Sequence, residues 1–388
     1  MAPTATLVVC VAGVASAFSP AAPPARGAVV LSAKTNYAIV GCGSPSRGMG
    51  WFHGLQLVEG ECPSATLSDV VEPWFLGGGA DSPGGAEFAE GVVDVWSPGV
   101  KFSAALSAET WSGAAEGEPK LALIAGRTPD NPGFFRQALD SGATHILLEK
   151  PGAPTVGELE DMAKTARSAE VPVFMGFIKN IATYFTAALA VAEKNPSALV
   201  TLTSLNDYEN TEASLGECFE RNSEGMLKNM AIHELALAAT FFDMKADTIA
   251  DVAVDAANCD CRTIGDYTDF AKLDFTLTNK NGGKLRVVAD RCGGDGCFAE
   301  VTEGGKTIFS AEMVDDARKA KVAQRQAEHP DWIGYLITQE DEYKDLKERC
   351  AKAALDGTFP EGVASIEVAI EALKLAEYLT PVLTKKLL

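Results

Sequence analysis

The stretch GATHILLEKPGAPTVGELEDM, residues 142–162, contains the two elements that decide the fold. Residues 146–148 form an apolar run, which is typical of a strand buried on both faces. The strand ends before Pro151, because proline has no N–H group to give to a sheet. Residues 155–158, Thr-Val-Gly-Glu, then match a capping box and predict the start of a helix. A buried strand followed by a capped helix is one unit of a parallel α/β sheet.

The same alternation continues on both sides of this unit. Further buried strands are predicted at residues 37–40, 65–71, 120–126 and 171–177. The first is followed by apolar residues at helical spacing, namely Trp51, Phe52 and Leu55. Strands that alternate with helices in this way predict a doubly wound parallel sheet of the Rossmann type.

The second half of the chain has a different pattern. Longer, partly alternating strands are predicted at residues 268–279, 284–292 and 298–313, joined by turn sequences such as 281–283, Asn-Gly-Gly. An amphipathic helix is predicted over residues 365–379. The fold class is therefore α/β. We predict a Rossmann dinucleotide-binding domain at 34–177, and at 178–388 an α+β domain with a large, mostly antiparallel open sheet for substrate binding and oligomerisation.

Composition excludes several classes of function. The 388 residues carry a formal net charge of −20, so the chain lacks the basic surface of a nucleic-acid-binding protein. Nine cysteines and four histidines do not show the spacing of a zinc site, and we predict no metal. Redox control through Cys292 and Cys297 is a minor alternative to ordinary free thiols.

The first residues resemble a targeting leader. Residues 1–58 contain no Asp or Glu. An apolar stretch too short to span a bilayer ends at Ala15-Ser16-Ala17, which matches an A-x-A cleavage site. An Ala-, Pro- and Ser-rich segment follows, as in the two-part plastid presequences of algae with secondary plastids. We expect residues 1–33 to be cleaved and the mature protein to lie in a plastid without a membrane span; an ordinary secretory signal is the alternative.

A glycine-rich loop follows the first predicted strand. Glycines at such a position let the backbone approach a pyrophosphate, which the N-terminus of the next helix attracts. The third glycine comes two residues later than in G-x-G-x-x-G, and an ordinary tight turn is the alternative. Asp69, near the predicted end of the second strand, would accept hydrogen bonds from the adenine ribose, with Glu72 as the reserve if the strand is longer. The loop candidates for cofactor binding are Gly41, Gly43, Ser44, Arg47, Gly48 and Met49.

A second set of polar residues lies in residues 223–237. Asn229 and His233 are four residues apart, so on one continuous helix they would share a face. A histidine with a purely structural role in the helix is the alternative.

These segments together resemble the glucose–fructose oxidoreductase/inositol dehydrogenase (Gfo/Idh/MocA) family of NAD(P)-dependent oxidoreductases, over about residues 36–379. Residues 142–162 are similar to the family's G-x-H-V-x-x-E-K-P motif and the helix after it. Residues 124–132, 176–180 and 224–237 are similar to its I-A-T-P-N loop, to the segment after the last parallel strand and to its G-G-x-L-x-D-x-x-x-H helix.

The resemblance implies a role for each matching residue. Lys150 would lie beside the nicotinamide and the substrate hydroxyl, and His233 would handle the hydroxyl proton. Asn229 stands where the family has Asp, and it would orient a substrate hydroxyl rather than exchange a proton. The other implied residues are Lys179 and Asn180 for substrate binding, and Thr128, Pro129 and Glu149 for cofactor binding.

The expected function is hydride transfer between NAD(P) and a secondary alcohol of a sugar, cyclitol or related polyol. We expect a preference for NAD, because a carboxylate at Asp69 or Glu72 repels a 2′-phosphate, although Arg47 favours NADP. A homodimer or homotetramer is expected. The alternatives are a non-catalytic dinucleotide-binding sensor or scaffold, a structural protein that retains only the fold, and a reductase for another carbonyl or a tetrapyrrole. Tyr208 is a further candidate for the proton route.

Overall fold

The computed structural model describes residues 33–388. The leader predicted for residues 1–33 lies outside this range except for its last residue, so its cleavage and the plastid location stay predictions.

The first sheet has six strands: β1 (Thr35–Val40), β2 (Ala65–Val71), β3 (Lys101–Ser103), β4 (Lys120–Ile124), β5 (His145–Leu148) and β6 (Val173–Met175). Their order is β3-β2-β1-β4-β5-β6, and every neighbouring pair is parallel. The prediction of a Rossmann-type sheet is confirmed. The strand order changes direction between β1 and β4, and in such sheets ligands bind at the carboxyl end of this point.

The second sheet has seven strands: β7 (Leu199–Asp207), β8 (Ile249–Val254), β9 (Asp260–Ile264), β10 (Tyr267–Asn279), β11 (Lys284–Asp290), β12 (Cys292–Glu303) and β13 (Lys306–Glu312). Their order is β13-β12-β7-β11-β10-β8, and β9 pairs with β10. Only the β7–β11 pair is parallel. The prediction of a mostly antiparallel second sheet is therefore confirmed.

The helices of the described residues are α1 (Met49–Val58), α2 (Pro83–Phe88), α3 (Asp94–Trp96), α4 (Asn131–Asp140), α5 (Val156–Ser168), α6 (Thr183–Lys194), α7 (Glu212–Arg221), α8 (Met226–Asn229), α9 (Ile232–Phe241), α10 (Asp316–Glu328), α11 (Gly334–Thr338), α12 (Glu340–Asp356) and α13 (Ile366–Leu387). The capping box is confirmed, because the Thr155 side chain accepts from the Glu158 N–H. None of these helices is long and apolar enough to cross a membrane.

The strand predicted at residues 65–71 is confirmed as β2. Two other local predictions are wrong. The glycines and prolines of residues 77–85 favour a loop, but this stretch contains the end of a short helical turn and the start of α2. The helix predicted over residues 223–237 is divided into α8 and α9, so Asn229 and His233 do not share one helix.

α12 carries the chain back to the first sheet. The Thr35 hydroxyl donates to the Ala351 carbonyl at 2.8 Å, and the Tyr37 hydroxyl donates to the Lys347 carbonyl at 2.8 Å. Residues from the last quarter of the chain thus complete the packing of β1. The division of the chain at residue 178 stays a prediction.

Candidate active site

The loop after β1 bends sharply through glycines in conformations that other residues avoid. Gly41 and Gly43 have φ angles of 79° and 75°. A Cβ atom on Gly41 would lie 2.5 Å from the Cα atom of Gly126, in the loop after β4. A Cβ atom on Gly48 would lie 2.6 Å from the Cys42 carbonyl oxygen. This loop therefore packs too closely to accept side chains at these positions.

α1 begins directly after the glycine loop. Its N-cap is Gly48, no side chain caps it, and its first turn has no acidic residue. The Gly48 N–H donates to the Ser44 carbonyl at 2.8 Å, and Met49 is the first helical residue. The backbone N–H groups and the dipole at such a helix N-terminus attract an anion. The loop and the helix start therefore fit the pyrophosphate of a dinucleotide.

Gly50 is a fourth glycine of this unit, which we did not select from the sequence. A Cβ atom there would lie 2.2 Å from the Gly41 carbonyl oxygen, so only glycine lets α1 approach β1 this closely. The signal was present, because Gly48 and Gly50 stand on either side of Met49. Because the loop departs from the regular G-x-G-x-x-G spacing, the sequence indicated only Gly48 as its third glycine.

The two acidic candidates on β2 lie in different surroundings. Asp69 is buried within the strand, where it accepts a hydrogen bond from the Trp111 N–H at 3.0 Å. Glu72 follows the strand end and accepts from the N–H groups of Gly43 at 2.8 Å and Trp74 at 3.0 Å. Because Glu72 contacts the glycine loop itself, the geometry favours it over Asp69 as the acid beside a bound ribose.

Arg47 lies on the exposed side of the glycine loop, next to a segment from the far end of the chain. The Ser46 hydroxyl donates to the Asp331 carboxylate at 2.6 Å. This hydrogen bond, with a smaller contribution from the charges of His329 and Arg47, holds the pKa of Asp331 below its usual value. The positive charge of Arg47 is thus near enough to Asp331 to act weakly on this carboxylate.

The loop after β4 lies at the same sheet edge. Thr128 and Pro129 are part of a short 3-10 turn between β4 and α4. Gly126, two residues before this turn, is the contact of Gly41 described above. The carboxyl ends of β1 and β4 therefore bring these two predicted segments together.

Lys150 follows β5 at this edge and reaches towards α8. Its Nζ atom donates to the Asn229 carbonyl oxygen at 3.1 Å. Burial lowers the pKa of Lys150, while the carboxylates of Glu149 and Glu224 act in the opposite direction. A partly buried ammonium group at the carboxyl end of β5 can stabilise negative charge that develops on a substrate oxygen.

Glu149 belongs to a buried polar network. Its Oε1 atom is 3.0 Å from His53 Nε2, and His53 Nδ1 is 3.0 Å from Lys347 Nζ. Lys347, which is fully buried, also donates to the Gln56 side chain. No local sequence pattern indicates this network, because α12 lies almost 300 residues after α1.

His233, near the start of α9, is 7% exposed and lies edge-on against Phe177, with ring centroids 5.7 Å apart. Its Nδ1 atom is buried and has no hydrogen-bond partner. Burial, with a contribution from the positive charges of Lys150 and Lys179, lowers the pKa of His233 well below 6.5. The ring is therefore neutral at pH 7 and able to accept a proton.

Lys179 and Asn180 lie deeper than a substrate-binding role suggested. Lys179 is 3% exposed, and its Nζ atom is 2.5 Å from Glu234 and 3.1 Å from the Ser204 hydroxyl. The Asn180 side-chain amide donates to the Thr240 hydroxyl at 3.3 Å, and its Oδ1 atom is buried without a partner. Both residues have protein partners here, and their binding of a substrate stays a prediction.

Two further side chains, one near Lys150 and one near Glu149, were not among the candidates that the sequence indicated. Glu224 accepts a hydrogen bond from the Asn229 side-chain amide at 3.2 Å. Tyr335 has its pKa raised to about 12, mainly by burial, and also by Tyr208 and Glu149, which are close by. Tyr335 belongs to no motif. Glu224 is the first residue of the segment 224–237, at a position where the motif has glycine, so the motif did not mark it as a candidate.

Part of the chain matches a known protein family. Residues 92–177 match the model of the Gfo/Idh/MocA oxidoreductase family, described as an NAD-binding Rossmann fold. No curated protein sequence matches the chain.

Solved structures share the fold across almost all of the chain. A probable dehydrogenase from Thermotoga maritima is 15% identical with a TM-score of 0.66, covering 90% of this chain and 97% of its own. A myo-inositol dehydrogenase from Corynebacterium glutamicum is 16% identical with a TM-score of 0.62, covering 89% and 95%. A scyllo-inositol dehydrogenase from Lactobacillus casei, with bound NAD(H) and scyllo-inositol, is 13% identical with a TM-score of 0.63, covering 91% and 98%. The family match within the first sheet and this shared fold confirm the resemblance of the chain to the Gfo/Idh/MocA family of NAD-binding oxidoreductases.

Proposed function

We propose that this chain is an NAD(P)-dependent oxidoreductase that transfers a hydride between the nicotinamide and a secondary alcohol of a polyol. One observation carries the proposal. Beyond the glycine loop, the same sheet edge presents an ammonium group, Lys150, close to a neutral histidine, His233, whose Nδ1 atom has no partner. An ammonium group beside a proton acceptor is what the oxidation of an alcohol requires.

The cofactor site fits a dinucleotide. Gly41, Gly43 and Gly48 leave no room for side chains, and the uncapped start of α1 offers N–H groups to a pyrophosphate. When bound, the nicotinamide supplies the carbon that accepts or donates the hydride. The surrounding protein binds and orients it.

Lys150 and His233 divide the remaining chemistry. Lys150 would hold the hydroxyl oxygen and stabilise alkoxide charge as it develops. His233 would take the hydroxyl proton, because its lowered pKa keeps it unprotonated at neutral pH. In the reverse direction, the same two groups would supply the proton and hold the carbonyl oxygen.

We also propose a preference for NAD over NADP. Glu72 places a carboxylate against the Gly43 N–H, where it would repel a 2′-phosphate. Arg47 would favour NADP, but the negative charge of Asp331 is near enough to act on it. A comparison of dissociation constants for NADH and NADPH tests this point, and tighter binding of NADPH would contradict it.

The proposed substrate class is a cyclitol or sugar. The solved structures that share the fold include inositol dehydrogenases, one of them with scyllo-inositol bound. Hydrogen-bonding side chains near the carboxyl end of β5, among them Lys150 and His233, suit a ligand rich in hydroxyl groups.

The decisive experiment measures cofactor reduction at 340 nm with a panel of inositols and sugars. Lys150→Ala should lower kcat strongly and leave the NADH dissociation constant almost unchanged, because its charge matters most as alkoxide develops. Lys164→Ala, at an exposed position on α5, is the matched control. A chain that binds dinucleotide but oxidises no member of the panel would instead be the non-catalytic sensor or scaffold.

A further inference from the structure

The loop between α7 and α8 brings a carboxylate to Asn229. The Asn229 side-chain amide donates to Asn222 Oδ1 at 3.0 Å and to Glu224 Oε1 at 3.2 Å. Among residues 33–388, Glu224 Oε2 accepts no hydrogen bond, and the side chain is half-buried. The carboxylate is thus held by one oxygen while the other can accept a further hydrogen bond.

The same asparagine also contacts Lys150. Its main-chain carbonyl oxygen accepts from Lys150 Nζ at 3.1 Å, and its side-chain amide donates to Glu224. Lys150 and Glu224 therefore contact two polar groups of the same residue. The Glu224 charge raises the pKa of Lys150 against the larger lowering effect of burial, which is consistent with close approach. The ammonium and the carboxylate therefore both lie against Asn229.

A buried ion pair fixes the loop that carries Glu224. Asp269 and Arg291 lie 2.7 Å apart with side chains 8% and 1% exposed. The second oxygen of Asp269 accepts from the Met226 N–H at 3.0 Å. Gly225, between this anchor and Glu224, has a φ angle of 89°, which favours glycine. The position of Glu224 is thus determined by the fold, unlike that of a side chain on a free loop.

The structure assigns to Glu224 the binding of a substrate hydroxyl next to the one that Lys150 holds, and to Asn229 the positioning of Glu224. This inference rests on the proposed oxidoreductase function. A carboxylate accepts hydrogen bonds from hydroxyl groups through both of its oxygens, and a polyol presents hydroxyl groups on neighbouring carbons. An amide at position 229 suits this role, because it donates to Glu224 where a second carboxylate would repel it.

The alternative is that Glu224 only stabilises its own loop. The two roles differ in what a loss of the charge affects. A hydroxyl-binding carboxylate changes polyol affinity and leaves dinucleotide binding and folding unchanged. If Glu224 only stabilises its loop, loss of its charge changes the melting temperature and changes the binding of the polyol and of the dinucleotide together.

The experiment uses the chain with NADH bound and scyllo-inositol as the probe. Binding is measured by thermal shift, and turnover is measured with NAD⁺. Glu224→Gln should raise the KM for the inositol about 10- to 100-fold, the range expected for a lost hydrogen bond to a charged group. The NADH dissociation constant should stay within twofold. Glu220→Gln, at an exposed position on the neighbouring α7, is the matched control and should change neither value.

A second variant series separates the charge from its position. Asn229→Asp alone places two carboxylates side by side, so one of them should titrate above its usual range and add a new limb to the pH profile. In Glu224→Gln/Asn229→Asp, a single carboxylate returns to the cleft, and much of the lost affinity should be recovered. A Glu224→Gln variant with unchanged KM, or one whose loss the double variant does not recover, would overturn the assignment.

Failure of the proposed function has a different signature. If the wild-type chain neither binds nor oxidises any inositol or sugar, the oxidoreductase proposal and the role of Glu224 fall together. If the wild type oxidises a polyol and Glu224→Gln does so equally well, only the role of Glu224 is wrong.

Discussion

His233 combines a buried ring nitrogen that has no partner with a strongly lowered pKa. Three causes act on this pKa in the same direction: burial first, then the positive charge of Lys150, then that of Lys179. A general base must be unprotonated to work, so a lowered pKa extends alcohol oxidation to more acidic pH. Its acidic limb should therefore lie below the usual histidine range.

The first prediction concerns this coupling. His233→Ala should lower kcat by roughly 10²- to 10⁴-fold, the usual range for a positioned proton acceptor, and should remove the acidic limb. Lys150→Met should raise the pKa of His233, because one of the two cations is gone. The chain has only four histidines, so an NMR titration can follow each ring. Lys164→Met is the control, and an unchanged His233 titration in Lys150→Met would contradict the coupling.

The buried network of Lys347, His53 and Glu149 has its own pH dependence. Burial, and next the charge of Lys347, lowers the pKa of His53 to about 4. Between about pH 6.5 and about pH 4, the unfolded chain binds a proton on His53 that the folded chain does not. The contribution of His53 to the free energy of unfolding therefore decreases as the pH falls through this window.

The second prediction follows from removing the cation. In Lys347→Met, the pKa of His53 should rise towards its usual value, because the ring then becomes the positive partner of Glu149. The variant should lose less free energy of unfolding between pH 7 and pH 5 than the wild type loses, as measured by urea denaturation. Lys352→Met, at an exposed position on the same helix, is the control. An equal loss in Lys347→Met and wild type would show that Lys347 does not act on His53.

At the level of elements, the glycine loop and α1 pack so closely that one added methyl group should reduce stability. Gly50→Ala would place a methyl group 2.2 Å from the Gly41 carbonyl oxygen, and backbone cannot move aside as a flexible side chain can. We expect a loss of roughly 1–3 kcal/mol in the free energy of unfolding, typical of overpacking, together with weaker NADH binding.

A matched control is available in α5. Gly157 lies in the first turn of that helix, and a Cβ atom there would contact nothing within 4 Å. Gly157→Ala should be neutral or stabilise by up to about 1 kcal/mol, because alanine favours a helix. Thermal unfolding and NADH titration of both variants test the third prediction. It is wrong if Gly50→Ala melts and binds as the wild type does.

The elements that the sequence predicted well are those with a strong local signal. The apolar runs of β1, β4 and β5 and the capping box of α5 depend on neighbours in the chain. The division between α8 and α9 depends on a distant contact. The Asn229 carbonyl, which a continuous helix would offer to the His233 N–H, accepts instead from Lys150. Glu72 was only the reserve candidate, because the length of β2 is set by pairing with β1 and β3.

At the level of the whole molecule, the second sheet is the expected site of self-association. It spans seven strands, and Ile308 on its edge strand β13 is 43% exposed. The resemblance implies subunits packed through this sheet. The fourth prediction is that light scattering at micromolar concentration gives the mass of a homodimer or homotetramer, where one chain has a mass of 40.8 kDa. A monomer at that concentration would contradict it.

The return of α12 to β1 also affects how the chain can fold during synthesis. The Thr35 hydroxyl and the Ala351 carbonyl that bind each other are separated by 316 residues. A ribosome makes the six strands of the first sheet long before it makes α12, so β1 leaves the exit tunnel without the helix that covers it. The nascent Rossmann unit must then keep the groups that bind α12, including Tyr37 and Gln56, unsatisfied until almost the whole chain has emerged. This connectivity therefore predicts that the first sheet completes its packing only after α12 has been made.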